Sequence, residues 1–153
     1  MKSPKATLFA TTLINAPATH VFDCLTNWSA QSEWMIGTVV HATKQQGKGV
    51  DGELSAFTSI GPFGITDTMR ITTWNPPHQC SVMHTGRIIR GSGDFTVTSV
   101  SKQQSIVTWS ESFVLPFGIF GRLAWPIARP FVRLGLQVSL KRFAGWAVTK
   151  SNT

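Results

Sequence analysis

IFGRLAWPIARPFVRLGLQVSLKRFAGWAV, residues 119–148, decides the fold. It shows no two-residue alternation of apolar and polar side chains. Its polar positions Arg129, Arg133, Gln137 and Lys141 recur every four residues, which places them in one stripe along a helix. Most of the remaining circumference is apolar, with Ile127, Phe131, Val132, Leu134, Leu136, Val138, Phe143 and Trp146. A helix this broadly apolar needs a large partner surface. Proline interrupts the helical hydrogen-bond ladder, so Pro126 and Pro130 place the start of the regular part near 126–130.

The partner surface lies upstream. Residues 105–115 alternate as a strand, with Val107, Trp109, Glu111, Phe113 and Leu115 on one face. The turn signals SKQQ (101–104), NPPH (75–78), GPFG (61–64) and KQQGKGVDG (44–52) bound further strands near 88–99, 79–85, 65–74, 52–60 and 38–43. Turns at such short spacing predict an antiparallel meander. Residues 6–14 have strand composition. NAPATHVFDCLTN then turns helical, with Asn15 as expected N-cap and Pro17 in the first turn. WSAQSEWM supplies a second short helix with Trp28 and Trp34 packed inward. The expected architecture is α+β in a single domain over 1–153. One strand and two short helices precede six strands, and the curved sheet wraps around the long C-terminal helix.

In this order INAPATHVFDCLTNWSAQSEWM resembles the opening of the START-like, birch-pollen-allergen-like superfamily. GPFGITDTMRITTWNPPHQC and WSESFVLPFGIFGRLAWPIARP resemble bacterial members of its polyketide cyclase/dehydrase group. The resemblance covers nearly the whole chain. It implies the helix-grip fold, a seven-stranded antiparallel sheet gripping the long helix, with a ligand cavity between them.

Taking the apolar face of each strand as inward puts Ile65, Asp67, Met69 and Ile71 in the cavity wall from one strand, and Cys80, Val82 and His84 from the next. The following strand adds Ile89, Gly91, Gly93, Phe95 and Val97, and the last adds Trp109, Glu111 and Phe113. Phe131, Leu134 and Val138 are the expected contribution of the helix. Three otherwise apolar faces therefore each carry one ionisable group: Asp67, His84 and Glu111. Hairpin counting sets Asp67 across from His84, give or take a residue, and Glu111 across from Gly93. Gly91 and Gly93 leave room there.

A buried ionisable group either pairs or faces a solvated space. Three readings of the trio stay open: a structural polar network, the polar end of a ligand cavity, or an acid–base cluster. A cavity-lining Glu111 is expected to tolerate leucine and to lose affinity for a polar-headed ligand. The leading expectation is binding of a hydrophobic small molecule such as a fatty acid, isoprenoid, sterol-like compound or aromatic polyketide. The alternative is a cyclase or dehydratase, with His84 as base and protonated Glu111 as donor.

Other chemistry is thin. GRIIRGSG lacks the lysine and spacing of a phosphate loop, and Ser110 lacks a nucleophile elbow. No cofactor and no metal are expected. His20, His41 and His78 read as surface or packing residues. The formal charge is +7, but no run of four basic residues occurs and the aromatics do not interleave with them, so nucleic acid is not an expected partner. FGIFGRLAWPIARPFVR (117–133) combines Phe, Trp and arginines as an interfacial segment does, which raises peripheral membrane contact; the favoured expectation is that these aromatics close the cavity mouth. Cys24 and Cys80, far apart, read as reduced packed thiols of a cytoplasmic protein. The stretch MKSPKATLFATTLINAPA imitates a signal peptide, but Thr7, Thr11, Thr12 and Asn15 interrupt its apolar segment, so it reads as the first strand.

Overall fold

The computed structural model describes residues 5–151. Seven antiparallel strands form one sheet: β1 (Lys5–Ile14), β2 (Thr38–Lys44), β3 (Glu53–Ile60), β4 (Phe63–Asn75), β5 (Gln79–Thr85), β6 (Arg90–Ser101) and β7 (Gln104–Val114). Their spatial order is β1-β7-β6-β5-β4-β3-β2, so β2 to β7 form a meander and β1 closes onto β7. Helix α1 (Ala18–Leu25) and a 3₁₀ turn (Trp28–Glu33) follow β1, and helix α2 (Ile119–Ser151) follows β7. This is the helix-grip architecture, α+β.

Local chemistry explains the joints. Gly61 takes a positive φ of 56° in the two-residue turn between β3 and β4, where Ile60 pairs with Phe63. Trp28 and Trp34 are buried, and the Trp28 indole donates to the Gly47 carbonyl at 2.7 Å. Asn15 does not cap α1. The cap position is Pro17, two residues later, in extended backbone, and the Asn15 carboxamide instead accepts from Gln104 at 2.9 Å.

Helix α2 corrects a second expectation: it starts at Ile119 and runs unbroken through Pro126 and Pro130. Each proline leaves one carbonyl, those of Arg122 and Pro126, without a helical donor. Both residues are exposed, so water can serve these carbonyls. The N-terminal half meets the core only through the partly buried Trp125 and Val132, and the partner surface covers the C-terminal half more fully. There Leu136, Leu140, Phe143 and Ala147 share one buried face, and Phe143 meets Trp34 edge-on at 4.9 Å between ring centroids. Leu136 also marks where the solid core gives way to a cavity.

Candidate functional site

Between the sheet and the middle of α2 lies a cavity of about 570 Å³, within the range of small-molecule sites. Its walls are mostly apolar. β4 to β7 contribute Met69, Val82, Phe95, Trp109 and Phe113, and β2 and β3 contribute Val40, Leu54 and Ala56. The helix supplies Phe131, Val132, Gly135, Leu136 and Ser139.

The polar end is a chain of three ionisable side chains on neighbouring strands. His84 Nδ1 lies 2.8 and 3.0 Å from the two Asp67 carboxylate oxygens. Its Nε2 lies 3.1 Å from Glu111 Oε2, and the Trp109 indole donates to Glu111 Oε1 at 2.7 Å. The alternation that puts Glu111 among apolar neighbours thus aims it at an imidazole and an indole.

Glycine makes the reach possible. His84 is on β5 and Glu111 on β7, with β6 between them, a separation near 10 Å at the usual strand spacing. Gly93 stands opposite Glu111 in the register. A Cβ at Gly93 would sit 2.8 Å from one Glu111 oxygen and 2.9 Å from the other. The missing side chain therefore lets the carboxylate lie across β6. Gly91 answers a different need: its φ is 133°, and a Cβ there would collide with the Ser112 carbonyl oxygen at 1.8 Å.

Electrostatics sets the protonation pattern. Burial pulls the His84 pKa down, but the hydrogen bonds to Asp67 and Glu111 and their charges outweigh it, raising the value from 6.5 to about 9. His84 is then an imidazolium at neutral pH, and both its N–H groups donate to carboxylates. Two carboxylates and one imidazolium leave the cluster one negative charge. Its unused capacity is that of carboxylate oxygens, so this end of the cavity accepts hydrogen bonds. The three side chains form a line through His84, with both ring nitrogens spoken for. Among the described residues no group of three or more His, Cys, Asp or Glu is arranged to hold a metal ion.

Ten of the thirteen residues assigned from sequence to the ligand site, Asp67, Met69, Val82, His84, Gly93, Phe95, Trp109, Glu111, Phe113 and Phe131, line the cavity. Gly91, Leu134 and Val138 are not among the lining residues. Gly91 serves the backbone, and Leu134 is 60% exposed on the outer side of α2. The helix is rotated from the expected face: Val132, Gly135, Leu136 and Ser139, at helical spacing i, i+3, i+4 and i+7, face the cavity. Ser139 is fixed by accepting the Ile36 amide at 3.2 Å. The expected pairing of Asp67 with His84 is displaced as well. Met69 stands opposite His84, beyond an irregularity at Ile71 and Thr73, and Asp67 reaches it diagonally.

Of the remaining titratable groups, Cys80 and Asp94 also line the cavity, whereas His20, His78 and Cys24 lie outside it. His20 bonds the Ala147 carbonyl at 2.8 Å and His78 the Val97 carbonyl at 3.1 Å. Cys24 and Cys80 are unpaired and buried. Burial raises the Cys24 thiol to about 11 and the Cys80 thiol to about 12, helped by the nearby charges of Asp23 and Asp94 respectively. Both are poor nucleophiles.

Residues 5–145 match the family model described as polyketide cyclase / dehydrase and lipid transport. Among curated proteins no sequence matches. Solved structures share the fold at low identity. The protein TTHA0849 from Thermus thermophilus superimposes with a TM-score of 0.82 at 12% identity, covering 95% of this chain and 99% of that one. The Zhui aromatase/cyclase from Streptomyces sp. R1128 gives 0.80 at 16% identity, covering 97% and 96%. Norcoclaurine synthase from Thalictrum flavum, as a point mutant with a transition-state analogue, gives 0.70 at 11% identity, covering 99% of both chains.

Proposed function

We propose, for a chain that belongs to the polyketide cyclase / dehydrase and lipid transport family, that the cavity binds a hydrophobic small molecule bearing a hydroxyl or other neutral hydrogen-bond donor. The observation that carries this reading is the Asp67–His84–Glu111 chain at the end of an apolar cavity. Apolar walls bury the body of the ligand. The polar end offers acceptors and a net negative charge, so it suits an alcohol or phenol. It repels a carboxylate: at about 4 Å two like charges cost about 4 kcal/mol at an effective dielectric near 20. Isoprenoid alcohols, sterol-like compounds and phenolic polyketides fit this chemistry, and an ionised fatty acid does not.

A second reading is proton-transfer chemistry on a poly-carbonyl substrate, as in the aromatase/cyclase neighbour's printed name. The raised His84 pKa reverses the roles expected from sequence. The Glu111 carboxylate would be the base next to a carbonyl, and the His84 imidazolium the acid. Binding is favoured because both His84 N–H groups already point at carboxylates, leaving no free donor for an enolate oxygen.

Two measurements test the binding reading. Native mass spectrometry of freshly purified protein is expected to show one co-purified apolar molecule. After delipidation, titration with a long-chain alcohol is expected to quench tryptophan emission, Trp109 being in the cavity wall, and to saturate at one per chain. Non-saturable uptake, or none, contradicts the reading. Turnover of a model poly-β-ketone that Glu111→Gln abolishes would transfer the site to the catalytic reading.

A further inference from the structure

We propose that the mouth of the cavity is a peripheral docking surface for a bilayer containing anionic lipid. The first five turns of α2 carry two apolar faces. One, with Trp125, Val132 and Leu136, is turned to the protein and at least partly buried. The other carries Ile119, Phe120, Leu123, Ile127, Phe131 and Leu134 within one arc of the helix, and all six are exposed, Phe120 at 74% and Ile127 at 72%. Arg122, Arg129 and Arg133 form a stripe along the border of this outer face. That is the layout of an interfacial helix: apolar side chains enter the acyl boundary while arginines reach the headgroups.

Strand order adds to this surface. The β3–β4 turn, the β5–β6 loop and the connection from β7 into α2 all lie at one end of the sheet. There Ile60 and Phe63 are 77% exposed, with Phe117 and Ile88 also open to solvent. Ile60, Phe63 and Phe131 both line the cavity and stand exposed, so the outer apolar surface is continuous with the cavity mouth.

Charge selects the occupant. No Asp or Glu occurs after Glu111, whereas Arg122, Arg129, Arg133, Lys141, Arg142 and Lys150 do. Arg87 lies in the β5–β6 loop at the same end, and Arg90 begins β6 beside it. Asp67 and Glu111, which also lie toward it, are turned onto His84. Asp94, in the cavity lining, accepts from Ser81, and Asp23 is on α1. Asp51 and Glu53 belong to the opposite end of β3, and Glu33 bonds Trp146 near the C-terminal end of α2. The mouth is therefore cationic as well as apolar. A second copy of this chain would set arginine stripes against each other, whereas an anionic bilayer complements both properties. Among the described residues no helix is long and apolar enough to cross a membrane, and the docking proposed is peripheral. The proposal stands on the outer face alone, whatever the cavity holds.

Vesicle flotation tests it with the full chain. Wild type is expected to float with phosphatidylcholine–phosphatidylglycerol vesicles, and to do so less with phosphatidylcholine alone or at high salt. Phe120→Glu/Ile127→Glu, at exposed positions outside the cavity wall, is expected to lower partitioning at least tenfold with an unchanged melting temperature. Arg129→Glu/Arg133→Glu is expected to lower it on the anionic vesicles. No flotation of wild type on either vesicle, or variants that bind as wild type, overturns the proposal. So does a wild-type dimer in sedimentation that Phe120→Glu dissociates, since that makes the face a self-interface.

Discussion

Replacing Glu111 by glutamine keeps the shape of the side chain and removes its charge. In the wild type, burial lowers the His84 pKa while two carboxylates raise it, with a net value of about 9 against an ordinary 6.5. The variant keeps the burial and Asp67 but loses the charge and the charge-assisted hydrogen bond at 3.1 Å. Such a bond is worth about 1.5–3 kcal/mol, so the His84 pKa is expected to fall by about one to two pH units. Stability follows by linkage. The folded-state pKa lies above the unfolded one, so the stabilisation is complete below about pH 6.5 and is lost as pH rises through about 9. In the wild type this amounts to roughly 3 kcal/mol, or about 6–12 °C of melting temperature for a chain of this size. In Glu111→Gln the loss is smaller and is finished at lower pH. Imidazole proton NMR, with His84 assigned through His84→Asn, follows the titration directly, and melting curves across the same pH range follow the stability. An unchanged His84 midpoint in Glu111→Gln would refute the coupling.

Glu111→Leu leaves the His84 imidazolium one carboxylate short and the buried Trp109 indole without its acceptor, so it is expected to destabilise by about 3–5 kcal/mol in chemical denaturation. Gly93→Ala is expected to push the Glu111 carboxylate off His84 and lower the His84 pKa, read by the same NMR titration. Gly91→Ala acts on the backbone instead and is expected to lose about 2 kcal/mol or more. Gly135→Leu points a side chain into open cavity space from a helix interior, so it should gain about 0.5–1 kcal/mol in melting and weaken ligand binding at least tenfold.

The sheet could be read from sequence because its strands alternate and its turns carry glycine and proline at short spacing. The polar trio was visible for the same reason: Asp67, His84 and Glu111 each break an otherwise apolar face. The SKQQ turn also placed Glu111 opposite Gly93, as the register has it. The helix face was not readable. With apolar residues on nearly every side of α2, periodicity cannot choose between Leu134 and Val138 on one side and Val132, Gly135 and Ser139 on the other. The small residues Gly135 and Ser139 were the available signal, since a helix that approaches a sheet favours them. Leu54, Ala56 and Gln31 also went unassigned, because no ionisable group marks their faces. The tolerance expected of Glu111→Leu fails on the geometry: the carboxylate lines the cavity and is also the partner of two buried donors. Protonation roles were out of reach, because they depend on His84 meeting two carboxylates at once, and that takes the diagonal reach of Asp67 and the gap at Gly93.

The central claim is that the polar end of the cavity accepts hydrogen bonds and repels anions. Calorimetric titration of the delipidated protein at pH 7 with a matched pair of ligands, one apolar chain ending in an alcohol and the same chain ending in a carboxylate, tests it most directly. The account predicts one site per chain and at least tenfold tighter binding of the alcohol, with that preference reduced in Glu111→Gln. Equal affinity for the pair, or tighter binding of the carboxylate, would contradict it.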